Sequence, residues 1–113
     1  MTDRTYLFLG LAAKARKITS GYNACERIIK SGKAKLVILA EDASDNVREK
    51  FENMCKFRDI NIRVFGVKEL LGKFTGKGIC SVIVVTDTGF ARRLIEMIDE
   101  RNMESGGGRI GKG

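Results

Sequence analysis

Two uninterrupted apolar runs constrain this chain most: LVILA at 36–40 and CSVIVV at 80–85. A strand with one wet face alternates apolar and polar residues, whereas these runs do not. Each is bounded by polar or charged residues and is too short for a core helix. Both therefore read as strands of a sheet covered on two faces. The segments that cover them should be helices, with helical periodicity on either side of the runs.

Residues 3–13 read as a helix capped by Asp3. Tyr6, Leu7, Leu9, Leu11, Ala12 and Ala13 make it apolar on most sides, which predicts close packing. A connector at 16–19, holding a short strand at 17–19, leads into a second helix from 20–21 to about Ser31. Cys25, Ile28 and Ile29 mark its inner stripe, and Asn23, Arg27 and Lys30 its outer face. Gly32 ends it. Ser44 caps a third helix with Val47, Phe51, Met54 and Cys55 inward. A shorter strand at 60–65 follows. Val67, Leu70, Leu71 and Phe74 then mark a short fourth helix, introduced by Gly66. The last helix starts from 86–88 and buries Phe90, Ala91, Leu94, Ile95 and Ile98. This order predicts one α/β domain over residues 1–103, a three-layer α/β/α sandwich with a small mixed central sheet. Residues 104–113 are glycine-rich, lack apolar periodicity and read as a flexible tail.

Charge then narrows the function. The chain carries a formal net charge of +7. Residues 14–35 hold Lys14, Arg16, Lys17, Arg27, Lys30, Lys33 and Lys35 against the single acid Glu26. The rest of the chain nearly balances. A clustered excess of this kind calls for a phosphate-rich partner, where a scattered excess would not. No apolar run reaches the length of a membrane span, and Asp3 and the missing cleavage site argue against a secretory signal. Histidine is absent, and Cys25, Cys55 and Cys80 form no metal-ligand spacing. Free thiols in a cytoplasmic chain, with no metal and no cofactor, are the expectation.

Catalysis has little to work with. A serine or cysteine nucleophile lacks the usual histidine base. Glu41 and Asp42 stand at a strand end, but neighbours along a strand point to opposite faces. The glycine-rich KFTGKG at 73–78 lacks the P-loop pattern. RNA fits better. A helix start offers free amides to phosphates and base edges. Gly21 lets a backbone come close, Asn23 carries both donor and acceptor, and Arg27 lies one turn on. Lys14, Arg16, Lys17, Lys30 and Lys33 surround them with positive potential. Scarce aromatics argue against a single-strand stacking platform and for recognition of folded RNA by shape.

At these residues the chain resembles the kink-turn-binding ribosomal proteins, the L-seven-Ae superfamily, and within it the bacterial YlxQ-like branch. The resemblance spans roughly residues 6–99. It is carried by LGLAAKARKITSG, the G-x-N before a helix, SGKAKLVILAEDAS, VKELLGKFTGK and VIVVTDTGFA. It implies a non-catalytic, monomeric RNA-binding protein that docks on the tandem sheared G·A pairs of a sharply bent RNA. A ribosomal RNA, a riboswitch or another noncoding RNA would serve. By the family's pattern Gly21 and Asn23 match, and Arg27 stands where a lysine does. Ala24 replaces a glutamate that would accept from guanine amino groups, a contact worth about 1–3 kcal/mol. The resemblance also assigns a loop over the flipped-out nucleotide, here 76–79 with Lys77 and Ile79, and a phosphate contact at Lys68. With Lys17, Lys30 and Lys33 these complete the expected RNA-binding set.

Two other readings stay open at this level. One is a protein-interaction module on the same fold, favoured by Ala24 and the short 76–79 loop. The other is an enzyme built on Glu41 or Asp42.

Overall fold

The computed structural model describes residues 3–105. Five helices and four strands alternate: α1 (Arg4–Lys14), β1 (Ile18–Ser20), α2 (Tyr22–Lys30), β2 (Leu36–Leu39), α3 (Asp45–Arg58), β3 (Ile62–Val64), α4 (Lys68–Thr75), β4 (Val82–Val85) and α5 (Thr88–Ser105). The strands form one sheet in the order β1-β4-β2-β3. β2 and β3 are parallel, while β4 runs antiparallel to both β1 and β2. The sheet is thus small and mixed.

The two apolar runs occupy the centre. Every residue of β2 and β4 is buried. Alternate residues face opposite layers. Leu36, Ile38, Ile83 and Val85 pack with α1, α4 and α5, around Leu9, Leu71 and Leu94. Val37, Leu39, Val82 and Val84 pack with α2 and α3, around Cys25, Ile29, Phe51 and Cys55. Each such side chain contributes about 1.5–3 kcal/mol by leaving water. Continuous apolar runs were needed because each strand has two dry faces.

Several boundaries differ from the sequence reading. β4 begins at Val82; Cys80 is buried just before it, with its amide on the Lys68 carbonyl at 3.1 Å. β1 sits one residue later than expected. In α4 the inner residue is Leu71, whereas Leu70 is turned outward and Val67 precedes the helix as its N-cap. α5 continues two residues past Met103, and the remainder of the expected tail lies outside the described residues. The largest departure is in α1. Its inner side buries Tyr6, Leu9 and Ala12, but Leu7 and Leu11 are 56% and 55% exposed. α1 lies in an outer layer against α4, α5 and β1, and the side that carries Leu7 and Leu11 is left uncovered among the described residues.

Candidate nucleic-acid interface

The chain turns at one end of the sheet, where β1, β2 and β3 have their carboxyl ends. There Gly21 donates its amide to the Val82 carbonyl at 3.2 Å, and Glu41 donates to Gly66 at 2.7 Å. Crevices beyond strand carboxyl ends are where α/β sheets hold ligands.

Gly21 is the N-cap of α2, with φ 103° and ψ 149°. Side-chain-bearing residues rarely adopt that conformation, so the position requires glycine for its backbone. A Cβ there would meet nothing within 4 Å, and the space in front is open. Gly21 offers no side-chain cap, and α2 has no acid in its first turn. The first intrahelical bond runs from the Cys25 amide to Gly21, and among the described residues the amides of Tyr22, Asn23 and Ala24 meet no acceptor. Asn23 and Arg27 are exposed one turn apart, on one face.

Glu26, the single acid of the basic stretch, does not face this surface. Its carboxylate lies 3.1 Å from Lys30 Nζ and 3.0 Å from Lys50 Nζ on α3. Hydrogen bonds from Lys50 and Lys30 hold its carboxyl below the usual range. Lys50 also sits 4.9 Å from the Tyr22 ring centroid, and Tyr22 packs edge-on against Phe51. Glu26 is therefore spent on the α3 side and does not replace the carboxylate missing at Ala24. Lys30 is partly spent with it.

Ala24 faces the other way. With Arg16, Thr19, Ser20, Thr75 and Lys77 it lines a groove of about 390 Å³ that has two cations, three hydroxyls and no carboxylate. Arg16 reaches the groove from an unusual backbone. Its φ is +61°. Its amide donates to Ala13 and that of Lys17 donates to Ala12, the two bonds of a Schellman closure of α1. A residue with a side chain at this left-handed position costs about 1–2 kcal/mol.

The loop opposite is fixed from below. Gly76 ends α4 in the left-handed region. The Lys77 amide returns to the Gly72 carbonyl at 2.7 Å. A Cβ on Gly72 would come within 2.4 Å of the Gly78 carbonyl oxygen, so the loop lies directly on α4. Ile79, 71% exposed, is displayed at its end. Lys68 starts α4 at the same end of the sheet, and its amide is capped by Asp42 Oδ1 at 2.9 Å. Asp42 is thus a helix cap, as is Ser44, which accepts from the Val47 amide at 3.3 Å.

The structure brings Gly21, Asn23, Lys68, Lys77 and Ile79 to one end of the sheet, with Arg27 one turn below Asn23. It does not bring Lys17 or Lys33 there. Lys17 precedes β1 at the opposite end, where its carbonyl accepts from the Thr86 amide at 2.9 Å. Lys33 follows the far end of α2, about 12 Å of helix rise from its start. Sequence reasoning gave Arg16 only a share in the general field, although its place three residues past the expected helix end was visible. Lys50 was missed outright. No local pattern shows that α3 lays it over Tyr22.

Known proteins give the same architecture. The model of the ribosomal protein L7Ae/L30e/S12e/Gadd45 family matches residues 3–95. The chain is 40% identical over 91 residues to the RNA-binding protein YlxQ of Bacillus subtilis, covering 80% of this chain and 91% of that protein. It is 30% identical over 92 residues to the RNA-binding protein YlxQ of Enterococcus faecium, covering 80% and 87%. Among solved structures, a Bacillus halodurans protein of unknown function superposes with a TM-score of 0.83 at 35% identity, covering 87% of this chain and 99% of that one. A Giardia lamblia 15.5kD RNA binding protein superposes with a TM-score of 0.70 at 19% identity, covering 88% and 89%, which is a likeness of fold. On the match over residues 3–95 and these relatives, the chain belongs to the L7Ae/L30e/S12e/Gadd45 family, in its YlxQ branch.

Proposed function

We propose that this protein is a non-catalytic, cytoplasmic, monomeric RNA-binding protein that recognises a kink-turn or a similarly bent RNA, in a ribosomal or other noncoding RNA. The observation that carries the reading is the unclosed start of α2. Glycine backbone, three free amides and Asn23 stand there together, inside the most basic part of the chain. The names of the YlxQ relatives supply the class of partner. An enzymatic role falls away, since the family and this branch are not enzymes.

In this reading Gly21 and Asn23 meet the base pairs at the bend, and the α2 amides hold a phosphate or base edge. Arg27, Arg16, Lys68 and Lys77 neutralise the backbones on either side. Ile79 covers an unstacked base. Lys17, Lys30 and Lys33 lie farther off and act on the flanking stems by charge alone. Ala24 leaves the groove floor open where the family has a carboxylate, which lowers discrimination for G·A pairs by about 1–3 kcal/mol.

The test is a gel-shift comparison of a standard kink-turn with the same RNA lacking its G·A pairs. Tighter binding to the kink-turn, lost in Asn23→Ala and raised in Ala24→Glu, is the expected result. Equal binding to both RNAs with a steep salt dependence would mean attraction by charge only.

A further inference from the structure

The second groove of interest lies between α1 and α4, behind the RNA-facing end. Gly10 lets the helices approach, since a Cβ there would come within 3.1 Å of the Phe74 carbonyl oxygen. Beside this contact is a groove of about 590 Å³ whose lining includes Leu7, Leu11, Lys14, Lys73 and Phe74. Leu7 and Leu11 are one turn apart on α1, and more than half of each is exposed. A helix this apolar on all sides is normally covered on all sides. The groove has an aliphatic floor, an ammonium on each helix and no carboxylate in its lining.

That charge pattern selects the occupant. Two copies of this chain meeting through the groove would pool four ammonium groups without an opposing acid, so self-association is disfavoured. A paired nucleic-acid stem offers phosphates to the two lysines but no apolar surface to fill a floor of this length. A helix with apolar residues one turn apart and acidic flanks satisfies both features, because its apolar side fills the groove and its carboxylates meet Lys14 and Lys73. From Leu7 to Lys14 the floor runs about 10 Å, which two or three helical turns cover. Ala13 and Thr75 line both this groove and the basic one. An occupant here would therefore sit beside the RNA-facing surface and leave Asn23 free.

We propose that the α1–α4 groove is the docking site for a short acidic amphipathic helix of a protein partner. This stands independently of the RNA reading. The test uses the full chain, isotope-labelled for amide spectra. The probe is a synthetic peptide of roughly four turns with leucines at i, i+4 and i+7 and glutamates elsewhere. A control peptide has the same composition with its leucines spread around all sides. Expected are saturable shifts at Leu7, Gly10, Leu11, Lys73 and Phe74, at least about tenfold tighter than the control. Leu11→Glu, a change at an exposed position, should abolish them while the thermal midpoint is kept. Lys73→Glu should weaken them. Equal binding of both peptides, shifts centred on Asn23 and Arg27, or no saturable shifts would overturn the proposal. Self-association of the free protein that Leu11→Glu disrupts would also overturn it, in favour of a second copy.

Discussion

α2 and α3 lie side by side on one face of the sheet and begin at the same end, yet their starts are opposites. Ser44 closes α3 by accepting from Val47, and Asp45 adds a negative charge in its first turn. α2 starts on a glycine with no cap and no acid. The other described helices follow α3. Asp3 accepts from the Thr5 amide, Asp42 from Lys68 and Asp87 from Phe90. A chain that closes four of its described helix starts with a side chain and leaves one open gives up a little stability at that place, about 0.3 kcal/mol for a glycine in place of a side-chain cap. On the proposed function, the difference separates a start built for folding from one built to meet a partner.

The comparison can be pressed first from the inside, where the two helices are alike. Burial pushes the Cys25 thiol of α2 up to about 12 and the Cys55 thiol of α3 up to about 11. The native state keeps these protons after the unfolded state has lost them. Their contribution is complete below about pH 9 and is lost as pH rises toward those values, in total on the order of several kcal/mol. Urea melts between about pH 8 and about pH 11 should show this fall, with a shallower slope in Cys25→Ala. A flat profile would mean that neither helix is sealed on its inner side, and an unchanged slope in Cys25→Ala would mean that α2 is not sealed as α3 is.

Next in size is Gly21→Ala. Forcing a side chain into φ 103° should cost about 1–3 kcal/mol of stability, read by urea melts, and RNA affinity should fall as well. A neutral outcome would remove the claim that this start requires glycine. A paired test then exchanges stability for binding. Ser44→Ala should lower stability by about 0.5–2 kcal/mol and leave RNA affinity unchanged. Asn23→Ala should leave stability within about 0.5 kcal/mol and cost about 1–3 kcal/mol of kink-turn affinity by titration calorimetry. The reverse pattern would break the comparison. The smallest effect is at Arg16, where glycine relieves the left-handed conformation. Arg16→Gly should raise stability by about 0.5 kcal/mol, after glycine's own entropy cost, and reduce the salt dependence of RNA binding by about one phosphate contact.

The sequence made the sheet's two central strands legible because burial on both faces leaves no polar alternation to interpret. It also showed the caps Asp3 and Ser44, which act within three residues of themselves. It could not show Asp42 capping α4 across 26 positions, nor Lys50 over Tyr22. Both are consequences of packing, with no local period. The basic stretch pointed to the surface around α2 but not to how its charges divide in space. Charge along a chain does not say which end of a strand a lysine will occupy, and so Lys17 and Lys33 separate from Asn23 in space. Glu26 was one acid among seven bases until its two lysine partners turned it away. α1 misled for a different reason: its periodicity told how apolar it is, not how much of it this chain can cover.

The most direct measurement is an amide spectrum of the labelled protein titrated with a kink-turn RNA. If the open start of α2 is the docking point, the largest shifts and the strongest protection from solvent exchange fall on Tyr22, Asn23 and Ala24, followed by the 76–79 loop. The amides that follow the closed start of α3 at Ser44 stay nearly still. Shifts spread evenly over Lys14, Lys17, Lys33 and Lys35, with Tyr22 to Ala24 unmoved, would contradict the account.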